Sequence, residues 1–246
     1  MCTMHLLRNK EYCMKKIIGI IFILFGTAEF LSAQKFTPPA DTEKPSAFDK
    51  KLLWGFTFTQ SWSTINGSAL PKTYFAKPSI GLLASVEYFP KSFIGFSAGF
   101  GFMQRGAGVQ NVPTPGVPDS TYRERLRFST FELPLSVIVR TPRDVIKGLR
   151  LSASAGIAPV FMYAAYDTKV SVEPNIANLD VSKDVSYDYF KSDVAFQITA
   201  GPEIDMASKQ VIRIHFYYSQ GTSNVYSSGS AQGHTQNIGV RLGWVF

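Results

Sequence analysis

His215 and Ser219 stand four residues apart, a spacing that puts both side chains on one face of a strand. A histidine beside a hydroxyl is a pair that nucleophilic catalysis can use. Both fall on the face read below as the inside of a barrel, where a lipid substrate would not reach the nucleophile, so no catalytic residue is assigned. Metal binding has less to support it. His215 and His234 are the only histidines after residue 33, and no ligand-like spacing joins them to acids. Glu87, Glu132, Arg150, Glu203, Arg213 and Arg241 share the same inward parity. Charges confined in a narrow lumen either mark an ion path or pair off as a structural plug. The plug is favoured, because unpaired buried charge is costly. Arg123, Arg125 and Arg127 take the opposite parity, that of Phe131 and Leu133. The guanidinium fork suits phosphate, so these three are read as a contact for lipopolysaccharide phosphates, against the plainer reading of a solvated loop base.

These side chains need strands to hold them, and the chain alternates with a period of two. Trp54, Phe56 and Phe58 interleave with Gly55, Thr57 and Thr59; Ile94, Phe96, Ala98, Phe100 and Phe102 interleave with Gly95, Ser97, Gly99 and Gly101. The same alternation runs through residues 80–88, 130–139, 149–157, 194–201, 212–219 and 237–246. It predicts eight antiparallel strands of about 9–11 residues, the length a tilted strand needs to cross a bilayer. One face is large and apolar; the other mixes Gly, Ser and Thr with the charges. An eight-stranded barrel has room only for a filled interior, and a continuous Phe/Leu/Val band does not belong in water. The apolar face therefore points to lipid, as in an outer-membrane up-and-down barrel with a filled lumen. A soluble periplasmic lipocalin-like barrel, with that face inside, is the rival. The connections alternate long (62–76, 105–122, 167–190, 220–233) and short (89–92, 140–148, 206–209), which places both termini on the short-turn, periplasmic side.

Residues 1–33 read as a cleavable signal peptide. Met14-Lys15-Lys16 opens it, Ile17 to Phe25 is its apolar run, and Leu31-Ser32-Ala33 is its cleavage site. Met14 fits as the true start. Residues 34–50 form a Pro-rich periplasmic leader, and 51–246 the barrel. Removing the signal takes away Arg8, Lys10, Lys15 and Lys16 of 25 basic residues and Glu11 and Glu29 of 18 acidic ones, leaving 21 against 16. That scattered excess gives no footprint for nucleic acid. Cys2 and Cys13, the 2 cysteines, leave with the signal, so the remainder has no disulfide and no lipid-bearing cysteine. No cofactor is implied.

Four stretches carry a family likeness: Gly81-Leu-Leu-Ala-Ser-Val-Glu87-Tyr88, Phe100-Gly101-Phe-Met-Gln104-Arg105-Gly106, Phe131-Glu132-Leu-Pro134-Leu135 and Phe190-Lys-Ser-Asp193-Val194. In order, they resemble the G-x-x-x-x-x-E-Y, G-x-x-Y-x-x-K-G, Y-x-E-x-P-L and F-K-x-x-D-x-G pieces of the PorT-like small outer-membrane β-barrel family. Met103, Arg105 and Ala195 depart from that pattern. The resemblance implies the barrel fold. The member that names the family belongs to a secretion system, and fold likeness does not carry that role across. Leu242, Trp244 and Phe246 look like the terminal signal read by the barrel-assembly machinery. The function read here is a structural or interaction role through four long outer loops, alone or within an envelope complex, without chemistry. The alternative is an outer-membrane lipid-modifying enzyme.

Overall fold

The computed structural model describes residues 51–246 apart from 69, 71–72, 114–120, 142–147, 172–180, 187–188, 190, 207–209 and 227–231; side chains of 110–113, 121–122, 170–171 and 181 are not described. The signal segment and the leader lie outside the described residues. Eleven strands run in chain order: β1 (Leu52–Ser68), β2 (Tyr74–Phe75), β3 (Lys77–Lys91), β4 (Ile94–Pro113), β5 (Thr121–Glu132), β6 (Leu135–Arg140), β7 (Leu149–Ser171), β8 (Val181–Asp184), β9 (Ser192–Met206), β10 (Gln210–Gly221) and β11 (Gln232–Val245). β2 and β8 are short pieces paired to β4 and β7.

β5 and β6 form one crossing. Pro134 has no N–H to give the ladder, yet the neighbours stay in step. Leu133 N–H donates to the Pro159 carbonyl at 3.0 Å, and the Pro134 carbonyl accepts from Gly99 N–H at 2.9 Å. Eight crossings therefore close a ring, antiparallel throughout, with β1 paired to β3 on one side and β11 on the other. Following paired residues round it, Trp62 leads through Ile238, Tyr218, Ile198, Ala155, Val137, Phe96 and Tyr88 back to Leu52, ten residues lower on β1. That stagger sets the strand tilt and the width of the interior.

The side chains sort as the alternation predicts. Trp54, Phe56, Leu82, Phe100, Leu135, Leu151, Ile157, Phe216, Ile238, Leu242 and Trp244 are all exposed, while Thr59, Ser61, Glu87, Glu132, Gln197, Thr199, Arg213 and Asn237 are buried. A soluble barrel requires the reverse.

The strands are longer than predicted, and most of the extra length is at the outer end; β3 also runs on through residues 89–91 and β9 to Met206 at the short-turn end. At the outer end β4 runs to Pro113 and β7 to Ser171, through residues that the sequence reading assigned to loops. There the chemistry of the two faces inverts, on β1, β5 and β11 at constant parity. On β1 the outward residues change from Trp62 to Thr64 and Asn66, while the inward ones change from Ser61 and Ser63 to Ile65. On β5 the outward face changes from Phe131 to Arg127, Arg125 and Arg123, and Phe128 and Leu126 turn in. On β11 Ile238 gives way to Gln236 and His234. This inversion marks the outer edge of the membrane. Beyond it Ile65, Ala107, Leu126, Phe128, Ala165 and Val225 form an apolar core, closed over by Leu70, Tyr74, Val185, Tyr189 and Tyr226. Gly106 lets β4 lean into this region. Its φ of +132° suits glycine alone, a Cβ would collide with the Leu126 carbonyl, and its N–H donates to Ser63 Oγ on β1 at 2.9 Å.

The lipid-facing assignment has a direct check. Leu135→Arg, at 52% exposure in the middle of the apolar band, should cost about 2–4 kcal/mol in reversible unfolding from lipid or detergent. Ser136→Ala, one residue along on the lumenal side, should be nearly neutral. Equal costs at the two positions would reverse the face assignment.

Candidate functional site

The interior is layered. At the periplasmic end Leu53, Phe89, Ile138, Val211 and Val245 make an apolar floor. Directly above it lies a cluster of ion pairs from four strands. Glu203 on β9 forms ion pairs with Arg140 Nε at 2.7 Å and Arg213 Nε at 2.8 Å. Glu87 on β3 accepts from both terminal nitrogens of Arg213, one of them at 2.7 Å, and from Arg140 Nη2 at 3.4 Å. Arg140 also lies over the Phe89 ring at 3.6 Å, which ties this cluster to the floor. Arg150 is buried on β7, opposite Glu203 in register.

A second layer sits toward the outer side. Arg105 on β4 donates to Glu132 Oε1 through Nε at 2.9 Å and Nη2 at 2.7 Å, to Thr235 Oγ1 at 2.9 Å and to Ser219 Oγ at 3.3 Å. The other Glu132 oxygen accepts from Gln197 Nε2 at 2.9 Å. Arg241 joins only indirectly: it donates to Gln197 Oε1 at 3.2 Å, and its guanidinium stacks on the Tyr217 ring at 3.8 Å. The single network read from the sequence thus divides in two. Glu132 is held by Arg105, and Arg241 meets no carboxylate among the described residues. Arg105 and Arg140 carry much of the pairing, and neither was among the lumenal charges named from the sequence.

His215 and Ser219 do not meet. His215 Nε2 bonds Ser152 Oγ at 2.9 Å and its Nδ1 lies 3.4 Å from Thr199 Oγ1, while Ser219 is taken up by Arg105. Ser152, Ser219 and His215 are all buried, behind a wall that lipid does not cross. Among the described residues no group of His, Cys, Asp and Glu is arranged to hold a metal.

At the outer end, Arg123, Arg125 and Arg127 are exposed on alternate positions of β5, above Phe131 and Tyr163, whose rings lie 4.8 Å apart. Lys77, at the outer tip of β3, is within electrostatic reach of Arg127 and Arg125. The aromatic lid beside them is tied by a hydrogen bond from the Tyr226 hydroxyl to Tyr74 at 2.7 Å; burial and that bond both push the Tyr226 phenol up from its usual range. At the other end, Phe246 closes the seam. It exchanges backbone hydrogen bonds with Trp54 and stacks on its ring at 4.6 Å, with Trp244 alongside.

These layers predict unequal costs. Glu203→Ala removes a fully buried carboxylate shared by two guanidinium groups and should cost about 3–5 kcal/mol. Arg241→Ala removes one hydrogen bond and one ring contact, and should cost only about 1–2 kcal/mol. Urea unfolding, followed by the gel shift between folded and unfolded barrel, ranks the two. The reverse order would place the plug elsewhere.

No curated protein matches the sequence. Among solved structures the chain is similar to neisserial surface protein A, at 7% identity and TM-score 0.44, covering 79% of this chain and 96% of that one. It is similar to Ail, the attachment invasion locus protein of Yersinia pestis, at 12% identity and TM-score 0.40, covering 80% and 100%. It is also similar to the outer membrane protein OprG of Pseudomonas aeruginosa, at 10% identity and TM-score 0.41, covering 79% and 94%. A family model described as an outer membrane protein beta-barrel domain matches residues 33–226. The chain belongs to that outer membrane β-barrel family.

Proposed function

We propose that this barrel acts as a structural and interaction protein of the outer membrane, working through its outer face and neither conducting nor catalysing. The observation that carries this reading is the filled interior. Two ion-pair layers lie between an apolar floor and an apolar outer core, and continuous passage through them would mean separating buried charges. The resemblance to the PorT-like branch and export by a signal peptide with cleavage after Ala33 belong to the same proposal. So does recognition of Leu242, Trp244 and Phe246 by the assembly machinery. An envelope complex would then dock on the outer strands.

Arg123, Arg125 and Arg127 supply the lipid contact in this reading. They sit one step above the apolar band, at the height where phosphate groups of outer-leaflet lipopolysaccharide lie, and each guanidinium can grip a phosphate through two N–H donors. Changing all three to Ala should weaken association with vesicles that contain phosphorylated lipid A and lower its salt dependence. Vesicles of dephosphorylated lipid A should bind wild type and variant alike. If the variant binds phosphorylated vesicles as well as wild type does, the arginines are only a solvated edge.

The interior is tested separately. Planar bilayers holding the wild-type protein should remain silent, and so should a variant with Arg105 and Glu132 both replaced by Ala, because the floor, the lower ion-pair layer and the outer core still close the lumen. A steady wild-type pore would make the protein a channel.

A further inference from the structure

A chamber of about 70 Å³ lies between the two ion-pair layers. That is room for a few water-sized groups, since one water needs only about 10–15 Å³ on the same measure. Glu87 and Arg213 line it below, Gln197 and Arg241 above, and Thr57, Ser85, Ser97, Ser154, Thr199 and His215 around its side. Its charged groups are not equivalent. Glu87 is already saturated by Arg213 and Arg140, and Arg213 is shared between Glu87 and Glu203. Arg241 alone enters with its charge uncompensated at close range. Its one carboxylate neighbour in the hydrogen-bond chain, Glu132, is reached only through the Gln197 amide and is gripped by Arg105. The Arg241 Nε–H is buried without a hydrogen-bond acceptor among the described residues.

We infer that this chamber is a binding site for one small inorganic anion of the halide class, held by the Arg241 guanidinium and the surrounding hydroxyls. Hydroxyl hydrogens rotate to suit a neighbour, so Thr57, Ser85 and Ser97 can turn donors toward it, as can one of Ser154 and Thr199, which share a hydrogen bond at 2.8 Å. Arg241 is half-buried, and a guanidinium partly withdrawn from water gains from an anion that shares its site. An anion there would make Arg241 the complement of the plug instead of its unpaired member. Because ion-pair layers lie above and below the chamber, exchange of the anion with bulk solvent would be slow.

Bromide is the probe. Full-length protein refolded into detergent with sodium bromide, then exchanged extensively into gluconate, should retain stoichiometric bromide. Anomalous diffraction from crystals of that material should show one peak within hydrogen-bonding distance of Arg241. Arg241→Met, checked for folding by the gel shift, should lose the retained bromide; Arg241→Lys, which restores the charge, should recover part of it. Wild-type protein that retains none, a peak at any other position, or equal retention by the folded Met variant would each overturn the assignment and leave the chamber to water.

Discussion

Hydrocarbon offers no partner for a peptide N–H or C=O, so the pairing of β1 with β11 is the interaction on which the rest depends. Its register runs unbroken from Gly55–Val245 to Ser68–Gln232 and is sealed at the bottom by the reciprocal bonds between Trp54 and Phe246. Once eight crossings close with a ten-residue stagger, the interior width is fixed, and side chains must fill it. The inward row of Gly, Ser and Thr follows from that narrowness. Gly239 and Gly156 face backbone of the neighbouring strands so closely that a Cβ would collide with a carbonyl oxygen. The charged residues follow too, since a polar interior sealed from both solvents must satisfy itself.

The inversion of chemistry along the strands acts as a ruler. Inside the membrane a strand wants its apolar row outward; above it, the same strand must bury an apolar row inward to remain folded. β1 and β5 obey both rules without any change of parity, because only the residue types switch, at Trp62–Ile65 and Phe128–Phe131. The outer half is therefore built like a small soluble barrel standing on a membrane one, with the aromatic contacts Phe128–Tyr189 and Tyr189–Tyr226 under its lid.

That switch also explains what the sequence could and could not reveal. The membrane-crossing rows were legible, since Trp54-Phe56-Phe58 or Ile238-Val240-Leu242 alternate strictly against small or polar partners. The outer extensions were not. Around Gly106 to Val109, β4 buries consecutive residues where it leans inward, and alternation disappears there. Residues 105–122 consequently read as loop, and with them went Arg105, which looked like the first residue beyond a strand. Arg140 was lost for the matching reason at the other end, at the edge of a short turn. Parity assigns a charge to the lumen, but its height and partner depend on the stagger. Glu132 and Arg241 share a face and a depth; the diagonal reach of Arg105 across β4 and β5 decides which guanidinium the carboxylate meets.

A barrel filled in this way has its chemistry directed outward. The arginine row on β5 belongs to a strand backed by Leu126 and Phe128, not to a free loop, so its Cα atoms keep the spacing of alternate strand positions, about 6–7 Å. β5 is in turn held on both sides, by β4 and β7, up to the level of Tyr122. A row of cations just above an apolar band, on a strand held from both sides, is the arrangement on which the proposed phosphate contact rests. The same apolar core that makes the outer strands stiff also closes the lumen. Rigidity of the outer surface and closure of the interior are thus two results of one packing arrangement, and a protein built this way is better suited to holding a position or a partner than to passing a solute.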